Sequence, residues 1–444
     1  MLKRKGLWAA ALIIGAVLSL AVLSFVYDKT VHAEEEYSEL KIFTEVLSAV
    51  RANYVEEPKM KDLVYGAIKG MLSSLDPHSG FMPPDAYKEM QVDTKGEFGG
   101  LGIQIGMKDE VLTVIAPIED TPAYKAGIMA GDKIVKIDGE STREMTIFDA
   151  VKKMRGPKDT PVTITIVREG WKETKDFTIV RDIIQIKSVK AKIIDEDQNI
   201  GYVKLTQFQE KSAGELADAL KELDKEGMKA LILDLRNNPG GLLNSAVEVA
   251  SQFLPQEKLV VYIKGRTGGK TEYRTMNQYP SYGEIPMIIL VNQGSASASE
   301  IVAGALKDWK RAVILGSQTF GKGSVQSVIP LSDGSGLRLT TARYYTPKDT
   351  SIQNTGIKPD IEVALAMEEG KDEHGKKGFP VIREKDLKNH LDEVPGDKKE
   401  TGEEIEISPV TVKEEDDRQL QRAIDILKTW SVFKGIQQPM KAAS

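Results

Sequence analysis

Two nearly unbroken apolar stretches, residues 230–235 and 286–291, constrain this fold more than any other feature. Each runs into a corner of small residues and then into a helical pattern. The first enters Arg236-Asn237-Asn238-Pro239-Gly240-Gly241, and the second enters Gly294-Ser295-Ala296-Ser297-Ala298-Ser299-Glu300. A strand apolar at every position is buried on both faces, as in a parallel sheet covered by helices. The flanking pattern agrees. Strands are expected at 200–205 and 312–315, helices at 213–223, 243–253 and 297–309, and a strand pair at 325–341 around Ser332-Asp333-Gly334. This is an α/β core with parallel character.

Sites in such sheets lie beyond the strand ends, where helix N-termini offer free N–H groups and a positive dipole end. Ser297 sits at such a corner, and the Ala298 amide is placed to donate to an oxyanion. The same residues also satisfy a simpler description, because Ser297-x-x-Glu300 is a capping box. Ser295, Ser297 and Ser299 alternate, so composition leaves the choice of serine open. The Gly240-Gly241 pair lets backbone approach a substrate carbonyl closely, or merely serves a tight turn. A serine nucleophile needs a base. Only His32, His78, His374 and His390 are present, three of them in a leader-like segment or a charged tail. A lysine base is the alternative, as in Ser-Lys variants of the triad. Lys322, between Gly321 and Gly323, is 25 positions after Ser297. A lone lysine is ordinarily a surface residue. It acts as a base only where burial or a nearby cation lowers its pKa. Gln326 is within reach to hold it.

The chain contains no cysteine, which excludes disulfides, thiol catalysis and cysteine zinc sites. No HExxH or dense His/Asp/Glu cluster occurs, so neither a metal nor another cofactor is expected. Residues 1–33 carry Lys3, Arg4, Lys5 and Lys29 against Asp28, leaving a net charge of about −9 on the remainder, which argues against nucleic acid as a partner. Lys3-Arg4-Lys5, the uncharged stretch 7–26 and Val31-His32-Ala33 read as an export signal or a retained anchor, and both place the rest outside the cytoplasm. Residues 37–75 show helical spacing through Phe43, Val46, Leu47, Val50 and Tyr54, then Leu63, Ala67 and Met71. This segment suits a cap, a dimer arm or a plain packing helix. Residues 366–416 read as a solvated charged linker. Leu420, Ala423, Ile424, Leu427 and Trp430 then outline an amphipathic helix over 417–433, packing on the core or on another subunit.

Between the first helices and the core, the glycine-rich loop Gly99-Gly100-Leu101-Gly102-Ile103 enters a strand. It is followed by a strand at 111–116, a short helix at Thr121-Pro122-Ala123, a strand and turn at 132–139, a helix at 147–154 and a strand at 161–167. This order resembles a PDZ domain, with Gly100, Leu101, Gly102 and Ile103 as the loop that binds a peptide carboxylate. Arg155, at the end of the peptide-side helix, is either a coupling residue or a charge satisfying the helix dipole.

Three loops carry a wider resemblance. Asp234-Leu235-Arg236-Asn237-Asn238-Pro239-Gly240-Gly241, Ser295-Ala296-Ser297-Ala298-Ser299-Glu300 and Phe320-Gly321-Lys322-Gly323-Ser324-Val325-Gln326 resemble the carboxy-terminal processing (tail-specific) proteases. So do Asp76-Pro77-His78-Ser79 and Gly356-Ile357-Lys358-Pro359-Asp360. The resemblance implies an α/β protease core of the crotonase/Clp-protease type with an inserted PDZ domain and helical terminal segments. It divides the chain into 1–33, an N-terminal helical segment at 34–95, the PDZ domain at 96–170, the core at 171–365 and a tail at 366–444. It implies Ser297 as nucleophile, Lys322 as base, Gln326 as the lysine's partner, and oxyanion contacts from Gly240, Gly241 and Ala298. Unfolded or tagged envelope proteins with apolar C-termini are the implied substrates, with a homodimer and an activator or adaptor as compatible partners. Two other readings compete. A non-catalytic PDZ scaffold of the cell envelope needs none of these side chains. A penicillin-binding type of acyl hydrolase needs a Ser-x-x-Lys helix, which the Ser297–Lys322 separation does not provide.

Overall fold

The computed structural model describes residues 38–266, 268–364, 382–392 and 417–437. The expected signal or anchor lies outside the described residues, as does most of the charged tail. Among the described residues no helix is long and apolar enough to cross a membrane. Residues 38–53 and Met60–Ser73 form helices in a unit that ends at Ser74. Leu72 is buried there, whereas Phe43, Val46 and Tyr54, expected on a packing face, are exposed.

The second unit begins at Leu75. Its core sheet runs in the order Val189–Asp195, Ile200–Leu205, Ala230–Asp234, Met287–Val291, Val313–Gly316 and Ile361–Glu362. All neighbours are parallel except the first pair. The alternation of a strand explains the apolar runs, since successive side chains face opposite sides. Leu231, Leu233, Ile289, Val291 and Ile314 join one cluster, with helices Ser212–Lys225, Leu243–Ser251 and Ala298–Asp308. Ile232, Ile288, Leu290 and Leu315 join the other, which Leu420, Ala423, Ile424 and Leu427 of helix Arg418–Gln437 complete. Burying each such Leu or Ile contributes about 1.5–3 kcal/mol. The C-terminal helix therefore packs on this core. Trp430 is exposed rather than part of the apolar face. A second sheet joins Gly80–Met82, Gly336–Tyr345, Leu259–Gly265 and Lys270–Arg274, with Ser324–Pro330 pairing along Gly336–Tyr345.

The PDZ unit is a sheet of Ile103–Lys108, Val111–Pro117, Lys133–Ile137, Pro161–Val167 and Lys175–Val180, with helix Ile147–Met154 beside the first strand. Its core includes Leu101, Val114, Ile134, Ile164 and Ile179. The unit extends past the expected boundary at 170, because Lys175–Val180 pairs residue by residue with Pro161–Val167. The polar run before Phe177 hid this strand. Glu97–Gly100 pairs antiparallel with Asp182–Gln185, so the chain enters and leaves the unit side by side, as an insertion requires.

The tail also differs from the solvated linker expected of it. Residues 382–392 fold onto the core, and Glu384 has 0% exposure. High charge predicts solvation only while the charges lack partners, and here they find them.

Candidate active site

Two corners beyond the core strands are sewn together by side chains. The Asn237 and Gly294 amides donate to Asn292 Oδ1 at 2.9 and 3.0 Å. Ser295 Oγ donates to the Leu235 carbonyl at 2.8 Å, and Ser299 Oγ donates to the Asn238 carbonyl at 2.9 Å. Both serines are fully buried. Their hydroxyl protons serve the backbone.

Ser297 has φ 54° and ψ −112° at the entry to helix Ala298–Asp308. A non-glycine residue there stores about 1–3 kcal/mol of strain. Gly240 comes against it. A Cβ added at Gly240 would lie 2.8 Å from Ser297 Cβ and 2.9 Å from the Ala298 nitrogen, so only glycine permits this approach. Ser297, Ala298 and Gly240 thus converge. The Gly240 N–H donates to Asn238 Oδ1 at 2.9 Å, so it is occupied. Among the described residues no partner takes the Gly241 N–H.

Glu300 links serine and lysine. Its carboxylate Oε2 accepts from the Ser297 amide at 2.8 Å and the Lys322 amide at 3.0 Å. The two backbone nitrogens are therefore no further apart than the sum of those lengths. Oε1 accepts from Thr319 Oγ1 at 2.5 Å and the Gly321 amide at 2.7 Å. Burial pushes the Glu300 pKa up to about 7, against the pull of these four donors. The capping-box reading of Ser297-x-x-Glu300 holds for the Ser297 amide. The same carboxylate also fixes the lysine loop, which that reading did not contain.

Burial is also the main influence on Lys322, and it holds the ammonium pKa below its ordinary value. Glu384, Glu300 and Asp76 oppose that shift, while Arg338 reinforces it. Among the described residues Lys322 forms no ion pair. Tyr344, buried, donates its hydroxyl to the Lys322 carbonyl, and burial raises its pKa while the Ser297 side chain pulls the other way. The expected Gln326 contact with the lysine is not formed. Gln326 Nε2 donates instead to Ser324 Oγ at 2.9 Å and Thr340 Oγ1 at 3.4 Å, since both hydroxyls lie on its own hairpin.

The Asp76-Pro77-His78-Ser79 turn lies beside this hairpin. Asp76 accepts from the His78 and Ser79 amides, Ser79 Oγ and Thr340 Oγ1. Burial would raise its pKa, but these donors hold it below the ordinary value. Tyr344, Gln353 and Glu384 are site residues that sequence reasoning missed; an aromatic, an amide and an acid in a charged tail carry no local signal. Among the described residues no His, Asp and Glu group is arranged to hold a metal ion.

In the PDZ unit, the Leu101 carbonyl accepts from the Ala123 amide and the Gly102 carbonyl from the Ile118 amide. Gly102 has φ +77°, and Thr121 fills the space where a side chain would go. The loop from Gly100 to Ile103 is thereby fixed at the end of the strand that faces helix Ile147–Met154. Arg155, just past that helix, pairs with Glu89 at 2.5 Å and stacks 4.4 Å over the Phe98 ring.

Comparison with known proteins agrees with this architecture. Residues 199–363 match the peptidase family S41, 113–168 match a PDZ domain, and 12–86 match the activating protease CtpB N-terminal domain. A carboxy-terminal-processing protease of Bartonella bacilliformis is 44% identical over 387 residues, covering 85% of this chain and 86% of that protein. A carboxyl-terminal-processing protease of Synechocystis is 41% identical over 321 residues, covering 70% and 74%. The solved photosystem II D1 C-terminal processing protease is 32% identical, with a TM-score of 0.43, over 76% of this chain and 96% of that one. With this extent of identity, and with a PDZ unit set beside an S41 core, the chain belongs to the carboxy-terminal-processing proteases and is a serine-type endopeptidase.

Proposed function

We propose that the chain cleaves peptide bonds with a Ser297–Lys322 dyad after its PDZ domain has captured a substrate's apolar C-terminus. The observation that carries this reading is the Glu300 carboxylate, one oxygen of which holds the backbone of both residues. Neutral Lys322 takes the Ser297 proton as Oγ bonds to the carbonyl carbon. The lysine then passes that proton to the leaving amine as the C–N bond breaks. It next takes a proton from water as the water oxygen attacks the acyl carbon, and returns that proton to Ser297 Oγ as the ester bond breaks. The Ala298 amide and the unengaged Gly241 amide are the oxyanion donors in this scheme, with Gly240 providing the space. Gln326 is left with its carbonyl oxygen to orient Lys322 once substrate binds.

The substrates are unfolded or tagged proteins ending in apolar residues, which add a strand beside Ile103–Lys108 and place their carboxylate on the Gly100–Ile103 amides. Read as an export signal or anchor, the N-terminal segment supports an activity outside the cytoplasm, in the envelope. A homodimer and an activating partner fit the N-terminal helical unit. Arg155 is proposed to couple peptide occupancy to the core, because it ties the PDZ helix to Glu89 and Phe98 at the unit's root. Arg155→Ala should reduce activation by an added C-terminal peptide; activation equal to the parent's would end that proposal.

The test of the dyad incubates the purified chain with an unfolded protein ending in apolar residues and reads fragments by mass spectrometry. Cleavage by the parent and none by a folded Ser297→Ala variant is the expected result. Cleavage surviving that change excludes Ser297. Peptide binding without cleavage by the parent favours the scaffold reading.

A further inference from the structure

We propose that Glu384 is a positioning residue of the active site, supplied by residues 382–392 and acting on Lys322 through the loop that carries it. The inference rests on the Ser297–Lys322 reading. It arises from a segment beyond the region matched to the peptidase family, in a part of the chain whose composition reads as solvent-exposed.

The contacts are specific. The Glu384 carboxylate has no solvent exposure. It faces His78 Nε2 at 2.7 and 3.0 Å, and Oε1 accepts from Gln353 Nε2 at 3.0 Å. Gln353 is itself fully buried, and its Oε1 accepts from the Gly323 amide at 3.0 Å. The Glu384 amide donates to the Phe320 carbonyl at 3.2 Å. One residue thus grips both sides of Lys322, through Phe320 and through Gly323. The segment is anchored on either side of this grip. Arg383 donates to Gln318 Oε1 at 3.1 Å, and the Leu391 carbonyl accepts from Gln353 and Asn354. A buried carboxylate is costly unless it is paired and hydrogen-bonded. Here its partners all lead to the lysine loop or to the Asp76–Ser79 turn.

The carboxylate also acts at a distance. Of the charged groups that face Lys322, which are Glu384, Arg338, Glu300 and Asp76, Glu384 is the strongest after burial itself, and it favours the protonated lysine. Glu384 is faced in turn by His78, Lys322 and Tyr344, with Arg383, Lys385 and Asp386 on its own segment. Removing its charge while keeping its shape favours the neutral base, so the acid side of the pH–rate profile moves to lower pH. Removing the whole side chain frees the loop.

The test measures kcat and KM against pH for the full chain, with a fluorogenic peptide ending in apolar residues. The variants are Glu384→Gln, Glu384→Ala and Lys322→Ala, with thermal unfolding followed for each. Glu384→Gln is expected to shift the acid limb down by roughly one pH unit. Glu384→Ala is expected to lower kcat roughly ten- to a hundredfold with KM little changed. A Glu384→Gln profile that superimposes on the parent's overturns the proposal. So does a Glu384→Ala loss explained by unfolding alone. If Lys322→Ala cleaves as the parent does, the dyad reading fails and takes this inference with it. If Lys322→Ala is inactive and the Glu384→Gln limb stays in place, only the Glu384 proposal fails.

Discussion

Lys322→Ala is expected to lower kcat/KM at least about a thousandfold, the scale of a lost general base, while leaving the chain folded. Lys322→Arg should be equally inactive. Arginine keeps the length and charge but cannot give up its proton at accessible pH. The sign of the pH dependence follows from the same burial. Activity needs the neutral amine, so kcat/KM rises as pH climbs through the Lys322 pKa and levels above it. Burial holds that pKa below 10.5, so the limb lies to the acid side of an ordinary lysine. A folded-state pKa that is depressed gives stability that is complete above 10.5 and lost as pH falls through the folded value. At neutral pH, below the ordinary lysine pKa, burying Lys322 is therefore a cost to folding. Lys322→Ala should show an unchanged or higher Tm alongside its loss of activity. A parent limb at or above the ordinary lysine pKa would contradict this account, as would a large fall in Tm for the alanine variant.

Arg236→Ala is expected to destabilise the chain by about 3–5 kcal/mol, the scale for breaking a buried ion pair from one side. The Arg236 guanidinium donates to Asp234 at 2.6, 2.9 and 3.1 Å, to both Asp417 oxygens at 2.7 Å, and to Gln419 at 3.2 Å. Its pKa is driven above the ordinary value because Asp234 and Asp417 outweigh its burial. Removing it leaves two buried carboxylates facing each other. Tyr202, whose hydroxyl donates to Asp234 Oδ2 at 2.7 Å, cannot neutralise them. Arg236 also begins the loop that leads to Gly240, so activity should fall with stability. Denaturant unfolding with the m-value held constant checks the figure. A loss below about 1 kcal/mol would place this pair with solvent-exposed ones.

The core strands were legible because the chain writes two-sided burial as continuous apolar runs. Ser297 and Lys322, whose amides Glu300 brings together, stood out in the sequence because the corners that hold them need glycine and other small residues. What escaped the sequence was contact across long separations. The Ser297–Glu300 spacing displays a cap, yet the carboxylate's other partners, Thr319, Gly321 and Lys322, depend on how two loops meet. Gln326 was placed correctly on a strand, but its amide nitrogen donates to hydroxyls of its own hairpin. Glu384 was hidden by its neighbours, since a charged stretch looks solvated whichever of its acids is buried. The last PDZ strand was lost behind a polar run.

The helix that covers the second face of the core sheet has a consequence for biosynthesis. Arg418–Gln437 follows every strand of that sheet in the chain. A polypeptide made from its N-terminus forms Ser297 and Lys322 well before the ribosome has delivered Leu420, Ala423, Ile424 and Leu427. Until then Ile232, Ile288, Leu290 and Leu315 face water, and Arg236 lacks Asp417. A nascent or truncated chain therefore presents an apolar patch suited to chaperones or to aggregation. The ion pair that seals the sheet also ties the loop leading to Gly240 to the end of synthesis.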